Sequence, residues 1–139
     1  MTLVHSASAV ALGGRAVLIE GVPGSGKSSL ALALIDRGAV LIGDDGVTLK
    51  ERDGGLFASP PPNIAGLLEV RNLGLLSFPI CRDVPVALVL RLTGDAPRFI
   101  DEAQQTSIAG VALPLVELWA NNPTNAIKTE LALKHYGLS

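Results

Sequence analysis

Residues 16–28 read AVLIEGVPGSGKS, and this stretch decides the fold. Ala16-Val17-Leu18-Ile19 is a short, continuous apolar run, which is typical of a strand buried on both faces. It leads directly into Gly21-Val22-Pro23-Gly24-Ser25-Gly26-Lys27-Ser28, which matches the pattern Gly-x-x-x-x-Gly-Lys-Ser in full. The segment Ser29–Arg37 is rich in Leu and Ala and predicts a helix, which Gly38 would end.

A strand, a glycine-rich loop and a helix in this order predict a P-loop that binds nucleotide phosphates. Glycines let the backbone turn tightly, and its N–H groups and the helix N-terminus attract anions. Lys27 would contact the β- and γ-phosphates, and the Ser28 hydroxyl would bind Mg²⁺. The residues expected to contact the nucleotide are Gly21, Val22, Pro23, Gly24, Ser25, Gly26, Lys27, Ser28 and Ser29. A chance match in a glycine-rich turn is the competing interpretation, and average composition makes it rare.

An acidic pair follows a second apolar strand, Val40–Ile42. Ligands of open α/β sheets bind at the carboxyl ends of the strands, where Gly21 and Asp44 both lie. One carboxylate of Asp44 and Asp45 would serve Mg²⁺, and the other would take a proton from an attacking hydroxyl. The alternative is a solvated turn, since Gly46 follows the pair.

The rest of the chain predicts more strands than helices. The expected strands are Val4–Leu12, Val47–Glu51, Leu56–Ser59, Leu67–Arg71, Val84–Leu92 and Val111–Leu118. Asp53-Gly54-Gly55 predicts a hairpin turn, and the polar stretch Thr93–Ser107 predicts a mobile loop. We therefore expect a single, sheet-dominated α/β domain over residues 1–139.

A second helix is predicted near the C-terminus. Its expected features are Asn122 as the cap, Pro123 at the first helical position, Gly137 at the end, and one apolar face of Ala126, Ile127 and Leu131.

Composition excludes several classes of protein. Apolar residues make up 48% of the chain, enough to bury a sizeable core, and the net charge of −2 gives no reason to expect a nucleic-acid partner. The single cysteine, Cys81, allows no intrachain disulfide, and we expect it to pack as a small hydrophobe in a reducing compartment. No apolar run reaches 18 residues, and no basic segment precedes Ser6–Leu12, so we expect a cytoplasmic protein with no membrane segment.

Two blocks of sequence resemble a known family, the catalytic domain of HPr kinase/phosphorylase. The first runs from the P-loop through Leu32–Ile35 and Arg37-Gly38 to Leu41–Asp45, and its short spacing from the loop to Asp-Asp is characteristic of that family. The second, Leu68–Gly74, reads LEVRNLG and looks like the family signature Glu-Ile/Val-Arg-Gly-x-Gly, with Asn72 in place of a glycine. Val111–Leu133 resembles the C-terminal segment of short alphaproteobacterial-type members, which lack the N-terminal domain of the longer enzymes.

The resemblance implies a fold, an activity and partners. The fold would be similar to that of phosphoenolpyruvate carboxykinase. The activity would be transfer of phosphate from ATP, or from pyrophosphate in some members, to a serine of the phosphocarrier protein HPr or a paralogue. Many members also run the reverse phosphorolysis with inorganic phosphate, and family members form hexamers.

The resemblance also implies roles for individual residues. Asp44 would be the general base, with Lys27, His5 and Arg71 as the other catalytic residues. Ser28, Asp45 and Glu69 would serve the Mg²⁺ sphere. Three of these residues have plainer interpretations: Glu69 and Arg71 as an ion pair at a strand end, and His5 as a polar residue near the N-terminus. Arg98 is a further candidate, as the arginine of a loop that contacts the protein substrate.

Three functions are compatible with these residues. The leading hypothesis is an ATP-dependent serine kinase that acts on an HPr-like protein. A small-molecule kinase is the second, although such enzymes usually carry an arginine-rich lid and no such insertion is present. A nucleotide- or phosphate-sensing module is the third, because binding needs only the P-loop whereas catalysis also needs Asp44.

Overall fold

The computed structural model of the chain describes residues 2–139, which form eleven strands and two helices. The strands are β1 Thr2–His5, β2 Ser8–Leu12, β3 Arg15–Gly21, β4 Val40–Gly43, β5 Val47–Arg52, β6 Gly55–Ser59, β7 Leu67–Val70, β8 Gly74–Ser77, β9 Val84–Thr93, β10 Gln104–Ile108 and β11 Val111–Trp119. The helices are α1 Lys27–Asp36 and α2 Asn125–Tyr136. This is the sheet-dominated α/β fold that the sequence predicts.

The largest sheet brings the carboxyl ends of four strands to one edge. Strands β3, β9 and β11 are neighbours and parallel. Strand β2 is antiparallel to both β3 and β4, so β4 runs in the same direction as β3. The chain therefore leaves these strands at the same edge, just after Gly21, Gly43, Thr93 and Trp119.

The core lies on both faces of this sheet. Val17 and Ile19 on β3 belong to one buried cluster, together with Leu30 and Leu34 of α1. Leu18, between them in sequence, belongs to a second cluster on the opposite face. Successive side chains of a strand point to opposite faces, so the apolar run of β3 is continuous because both faces are covered.

Three differences from the expected strands have physical causes. Residues 4–12 form two strands, because β1 pairs with β5 whereas β2 pairs with β3 and β4. The polar stretch after β9 is not all loop, because Gln104–Ile108 pairs with β11. Strand β8 was not predicted at all: it is exposed along its whole length, so its sequence, GLLS, carries no alternation of buried and exposed residues.

Helix α2 packs through a different face from the one predicted. Ala126 of the predicted apolar face is buried, but Ile127 and Leu131 on that face are about half exposed, so it is not the face that packs on the sheet. The buried residues of the helix are Asn125, Ala126, Thr129, Ala132 and Leu133. Mostly small side chains cover this face, and hydrophobicity alone did not single them out.

The helix begins at Asn125 after Thr124, so Asn122 and Pro123 precede it, while Gly137 ends it as expected. Helix α1 begins at Lys27, inside the predicted loop.

Neither helix within residues 2–139 has the length and hydropathy needed to cross a bilayer.

The packing of α1 on the sheet can be tested at Leu34, whose side chain is fully buried. Replacing Leu34 with Ala removes buried methyl groups and leaves a cavity, so we expect a loss of about 2–5 kcal/mol in the free energy of unfolding. Ile127→Ala is the matched control, because Ile127 is half exposed on α2 and its loss should cost less than about 1 kcal/mol. Urea unfolding followed by circular dichroism measures both; equal losses would contradict this packing.

Candidate active site

The P-loop lies between β3 and α1 at the edge where the parallel strands end. Gly26 precedes the helix with φ at 99°, a left-handed conformation that side chains other than glycine rarely adopt. A Cβ at Gly26 would also lie 2.7 Å from Oδ1 of Asn121. Both constraints explain why the motif requires glycine at this position.

Lys27 points back onto its own loop. Its Nζ donates hydrogen bonds to the carbonyl oxygens of Gly21, at 2.7 Å, and Val22, at 3.3 Å. The ammonium is thereby held at the mouth of the loop, within a polar cleft of about 420 Å³. The cleft is lined by Ser6, Gly21, Pro23, Gly24, Gly26, Lys27, Ser28, Ser29, Asp45, Glu69 and Arg71.

Four of the predicted site residues do not line this cleft: Val22, Ser25, Asp44 and His5. The Val22 side chain is exposed, and the backbone N–H of Ser25 is used within the loop, donating to the Val22 carbonyl at 3.1 Å. Arg98 lines a different cavity, next to α2, which shares no wall with the cleft.

Asp44 lies beneath the cleft, where three donors hold its carboxylate. Its Oδ1 accepts from the hydroxyls of Ser28, at 2.7 Å, and Ser8, at 2.9 Å. Its Oδ2 accepts from the backbone N–H of Glu69, at 3.1 Å. The residue is only 7% exposed, so it is not part of a solvated turn. Asp45, by contrast, is exposed and lines the cleft, with φ at 60°.

Glu69 and Arg71 reach the same cleft from the β7–β8 hairpin. Arg71 Nε lies 3.5 Å from Glu69 Oε1, and both side chains are exposed. An ion pair exposed to this degree contributes little to stability. Its place in the cleft wall is therefore compatible with both interpretations of the sequence: an ordinary strand-end pair and a pair of site residues.

His5 joins a charged network at the edge of the sheet. Its Nε2 lies 2.8 Å from Glu20 Oε2, and Arg91 donates to the other oxygen of the same carboxylate at 3.0 Å. Glu20 directly precedes Gly21, so the network anchors the start of the P-loop. The hydrogen bond from His5 lowers the pKa of Glu20 below its ordinary value, with a further contribution from Arg91, although burial opposes the shift.

A cation in this cleft would need oxygen ligands beyond the protein's own. Within residues 2–139 no three His, Cys, Asp or Glu side chains are grouped closely enough to hold a metal by themselves. Mg²⁺ in P-loop proteins keeps waters and binds phosphate oxygens together with a Ser or Thr hydroxyl. The Ser28 hydroxyl, the exposed carboxylates of Asp45 and Glu69 and the polar cleft fit such a cation.

Sequence reasoning missed several residues that shape the site: Ser6, Ser8, Glu20 and Asn121. Ser6 and Ser8 fell within a stretch that we assigned to a single strand. Asn121 donates from its side chain to the Gly24 carbonyl at 3.0 Å, and from its backbone to Ser25 at 3.1 Å. Asn121 directly follows β11. The one sequence signal that could have pointed to it is the rule that ligands bind at the carboxyl ends of strands.

Cys81 is partly buried, and burial raises the pKa of its thiol, which suits a packing role.

The lowered pKa of Glu20 gives a testable pH dependence. A carboxyl whose pKa is lower in the folded state stabilises the protein above its unfolded pKa, and that contribution disappears as the pH falls through the folded value. Glu20→Gln should therefore be less stable than wild type at pH 6, and the gap should shrink below about pH 4.5. Thermal unfolding across this pH range measures the difference in stability between the variant and the wild type. Glu102→Gln, at an exposed position, is the control, and a gap that does not change with pH would contradict the assignment.

Comparison with known proteins identifies the family. A family model described as "HPr Serine kinase C-terminal domain" matches residues 2–81. The HPr kinase/phosphorylase of Clostridium tetani is 42% identical over 81 residues, which cover 58% of this chain and 27% of that protein. The one from Clostridium botulinum, strain Eklund 17B, is 48% identical over 67 residues, which cover 48% of this chain and 22% of that protein. The chain thus spans about a quarter of the length of these curated relatives.

A solved structure extends the similarity to nearly the whole chain. The Hpr(Ser) kinase/phosphatase from Coxiella burnetii superposes with a TM-score of 0.83 at 25% identity, covering 95% of this chain and 88% of that one. The expected P-loop fold, similar to that of phosphoenolpyruvate carboxykinase, agrees with this match. The family model spans the P-loop, the acidic pair and the β7–β8 hairpin, which is more than half of the chain. The chain belongs to the HPr serine kinase C-terminal domain family.

Proposed function

We propose that this protein transfers the γ-phosphoryl group of ATP to a serine of the phosphocarrier protein HPr or a paralogue. One observation carries the proposal: a buried carboxylate, Asp44, is hydrogen-bonded to the P-loop hydroxyl Ser28 at 2.7 Å. Binding alone needs only the loop, whereas this carboxylate would supply a proton acceptor in contact with the P-loop. The names of the similar proteins support the choice of substrate.

Lys27 would bind the β- and γ-phosphates. In the structure its ammonium is satisfied by the carbonyls of Gly21 and Val22. An incoming triphosphate offers charged acceptors, which form stronger hydrogen bonds than neutral carbonyls do. We therefore expect Lys27 to exchange these carbonyls for phosphate oxygens when nucleotide binds.

Ser28, Asp45 and Glu69 would hold Mg²⁺ together with phosphate oxygens and water. When bound, the metal neutralises charge that develops on the transferred phosphoryl group. Asp45 and Glu69 both line the cleft, the first just after β4 and the second on β7.

Asp44 would act as the general base. An ionised carboxylate has about four acceptor positions, and the three hydrogen bonds observed leave one of them, on Oδ2. The proton of the attacking serine hydroxyl would move to this oxygen as the serine oxygen bonds to the γ-phosphorus, while the bond from that phosphorus to the bridging oxygen breaks and ADP leaves. In the reverse reaction with inorganic phosphate, the same group would return the proton.

Arg71 and His5 would support the reaction from the cleft's edges. Arg71 is exposed in the cleft wall, where its guanidinium would contact phosphate or the protein substrate. His5 would act through Glu20, which directly precedes the loop.

The hairpin favours a protein acceptor over a small molecule. Leu73 and Leu75 are exposed beside Arg71, and exposed apolar side chains at a charged cleft suit a protein surface better than a metabolite. We further propose that residues 1–139 act as one catalytic domain in the cytoplasm. Assembly into a homo-oligomer, a hexamer in the family, is proposed from the resemblance alone.

The test of this function is transfer of labelled γ-phosphate from Mg-ATP to purified HPr. Asp44→Asn removes the negative charge with little change of shape, and the loss of a general base should lower the rate by about 10²–10⁴-fold while ATP still binds. Asp36→Asn, at an exposed position on α1, is the matched control and should transfer at the wild-type rate.

Wild-type protein that binds ATP but labels no serine on HPr would contradict the proposal and leave a sensing module. Label on a metabolite instead of the protein would indicate a small-molecule kinase. Melting temperatures of all variants show whether Asp44→Asn remains folded.

The two aspartates should respond differently to magnesium. Asp45→Asn weakens the proposed metal site, so raising the Mg²⁺ concentration should restore much of its lost rate, whereas Asp44→Asn should stay slow at all concentrations. Initial rates over a Mg²⁺ titration measure the difference. If magnesium rescues Asp44→Asn and not Asp45→Asn, the two roles are exchanged.

A further inference from the structure

A buried serine on β2 contacts both of the acidic residues that follow β4. Ser8 is fully buried, and its hydroxyl donates a hydrogen bond to Oδ1 of Asp44 at 2.9 Å. The Ser8 oxygen in turn accepts a hydrogen bond from the backbone N–H of Asp45 at 3.4 Å. One hydroxyl therefore links the proposed general base to a residue proposed for the Mg²⁺ sphere.

A β-bulge brings this serine opposite Asp44. The pairing of β2 with β4 shifts by one residue between Ala9 and Val10, because β4 has an extra residue there, and Ala9 consequently lies opposite Gly43. The next residues at this end of the two strands are Ser8 and Asp44, whereas regular pairing would have placed Gly43 opposite Ser8. Bulges next to active sites re-aim side chains in this way.

The serine is carried by a strand that is held on both sides. Strand β2 pairs with β3 along one edge and with β4 along the other. Ser8 lies on the same face of β2 as Val10, whose side chain belongs to the cluster packed against α1. The hydroxyl therefore enters the site from a fixed backbone, on the face where α1 carries Ser28.

Ser8 determines which oxygen of Asp44 can accept a proton. The last torsion of an aspartate side chain has no sharp preference, so hydrogen bonds set the orientation of the carboxylate. Oδ1 accepts from Ser8 and from Ser28, and these two donors fill its acceptor positions. Oδ2 accepts only from the backbone of Glu69, so it keeps one position open. Without the Ser8 hydroxyl both oxygens would have an open position, and the carboxylate would be held less firmly in one orientation.

The contact with Asp45 supports an unfavourable backbone conformation. Asp45 has φ at 60°, in the left-handed region that residues other than glycine seldom adopt. Such a conformation persists only where the surrounding structure holds it. The hydrogen bond from the Asp45 N–H to Ser8 is one contact that does so, and it helps to keep Asp45 in the wall of the cleft.

We propose that Ser8 is a positioning residue for phosphoryl transfer, whose hydroxyl orients the Asp44 carboxylate so that Oδ2, and not Oδ1, takes the proton. The inference rests on the proposed function, in which Asp44 is the general base. Ser8 does not line the cleft, so it acts only through the two aspartates. Its loss should consequently slow the transfer and leave nucleotide binding unchanged. The competing interpretation is that Ser8 only stabilises the fold by satisfying a buried charge.

The test combines Ser8→Ala with Asp44→Asn. A serine that positions the base has nothing to position once the base is removed, whereas a serine that only stabilises the fold costs the same in either background. We expect Ser8→Ala to lower kcat for transfer of labelled phosphate to HPr by about tenfold or more in the wild-type background. In the Asp44→Asn background it should lower kcat by less than about twofold. Calorimetry should give Kd values for Mg-ADP that agree within about twofold between wild type and Ser8→Ala.

Thr129→Val is the matched control for the loss of a buried hydroxyl. Thr129 is also fully buried and donates to a protein oxygen, the Asn125 carbonyl at 2.8 Å, but it lies outside the cleft. This variant should transfer phosphate at the wild-type rate. Ser8→Cys nearly keeps the size of the side chain and offers only a weak donor, so it should be slow as well. It also tests the contact if melting temperatures show that Ser8→Ala does not fold.

The outcomes separate this inference from the proposed function. Transfer at the wild-type rate by Ser8→Ala, or by Ser8→Cys if Ser8→Ala does not fold, would overturn the positioning role. An equal loss of rate in the wild-type and Asp44→Asn backgrounds, or a loss of ADP affinity as large as the loss of rate, would also overturn it and leave the kinase standing. Wild type that labels no serine on HPr would overturn both.

Discussion

The Asp44 carboxylate is the contact on which the rest of the site depends. A carboxylate that is 7% exposed must be surrounded by donors, because burying an unsatisfied charge is costly. Its three donors come from β2, from the first turn of α1 and from the backbone of β7. Each of these elements is consequently fixed relative to the end of β4, and a shift in any of them would leave a charged oxygen without a partner. The same constraint that satisfies the charge therefore aligns the P-loop with the hairpin that carries Glu69 and Arg71.

The sheet provides the frame for this arrangement through β9. Near its start, β9 pairs with β6, and further along it pairs with β11, while β3 lies along its other side. This change of partner lets one strand belong to an antiparallel meander and to a parallel sheet at once. Because β3 and β11 both run parallel to β9, on its two sides, their carboxyl ends reach the same edge of the sheet with only the end of β9 between them, and Asn121 can contact the P-loop. The antiparallel part contributes the second core cluster beneath Leu18.

Local patterns determined how much could be predicted from the sequence. The P-loop, β3 and the end of β4 were predictable because each combines a continuous apolar run with glycines at positions that need them. The family assignment followed from those segments and from Leu68–Gly74. Ser8 was not predictable, since a buried serine within an apolar strand has no local signal and its partner is 36 residues away. The packing face of α2 was misassigned for a related reason: small residues fit against β9 and β11, while the larger Ile127 and Leu131 stay at the surface.

The exposure of β8 has a consequence for how the protein behaves at high concentration. The strand belongs to a two-stranded sheet, which is marginally stable on its own and is anchored here through Leu68 and Val70 in the core. Its outer edge is unpaired within residues 2–139, and it carries Leu75 and Leu76 without a proline or a charged residue among its four positions. Edges of this composition are templates for pairing with another chain. A second copy of the chain could add a strand here, so we expect any self-association of the purified protein to begin at residues 74–77.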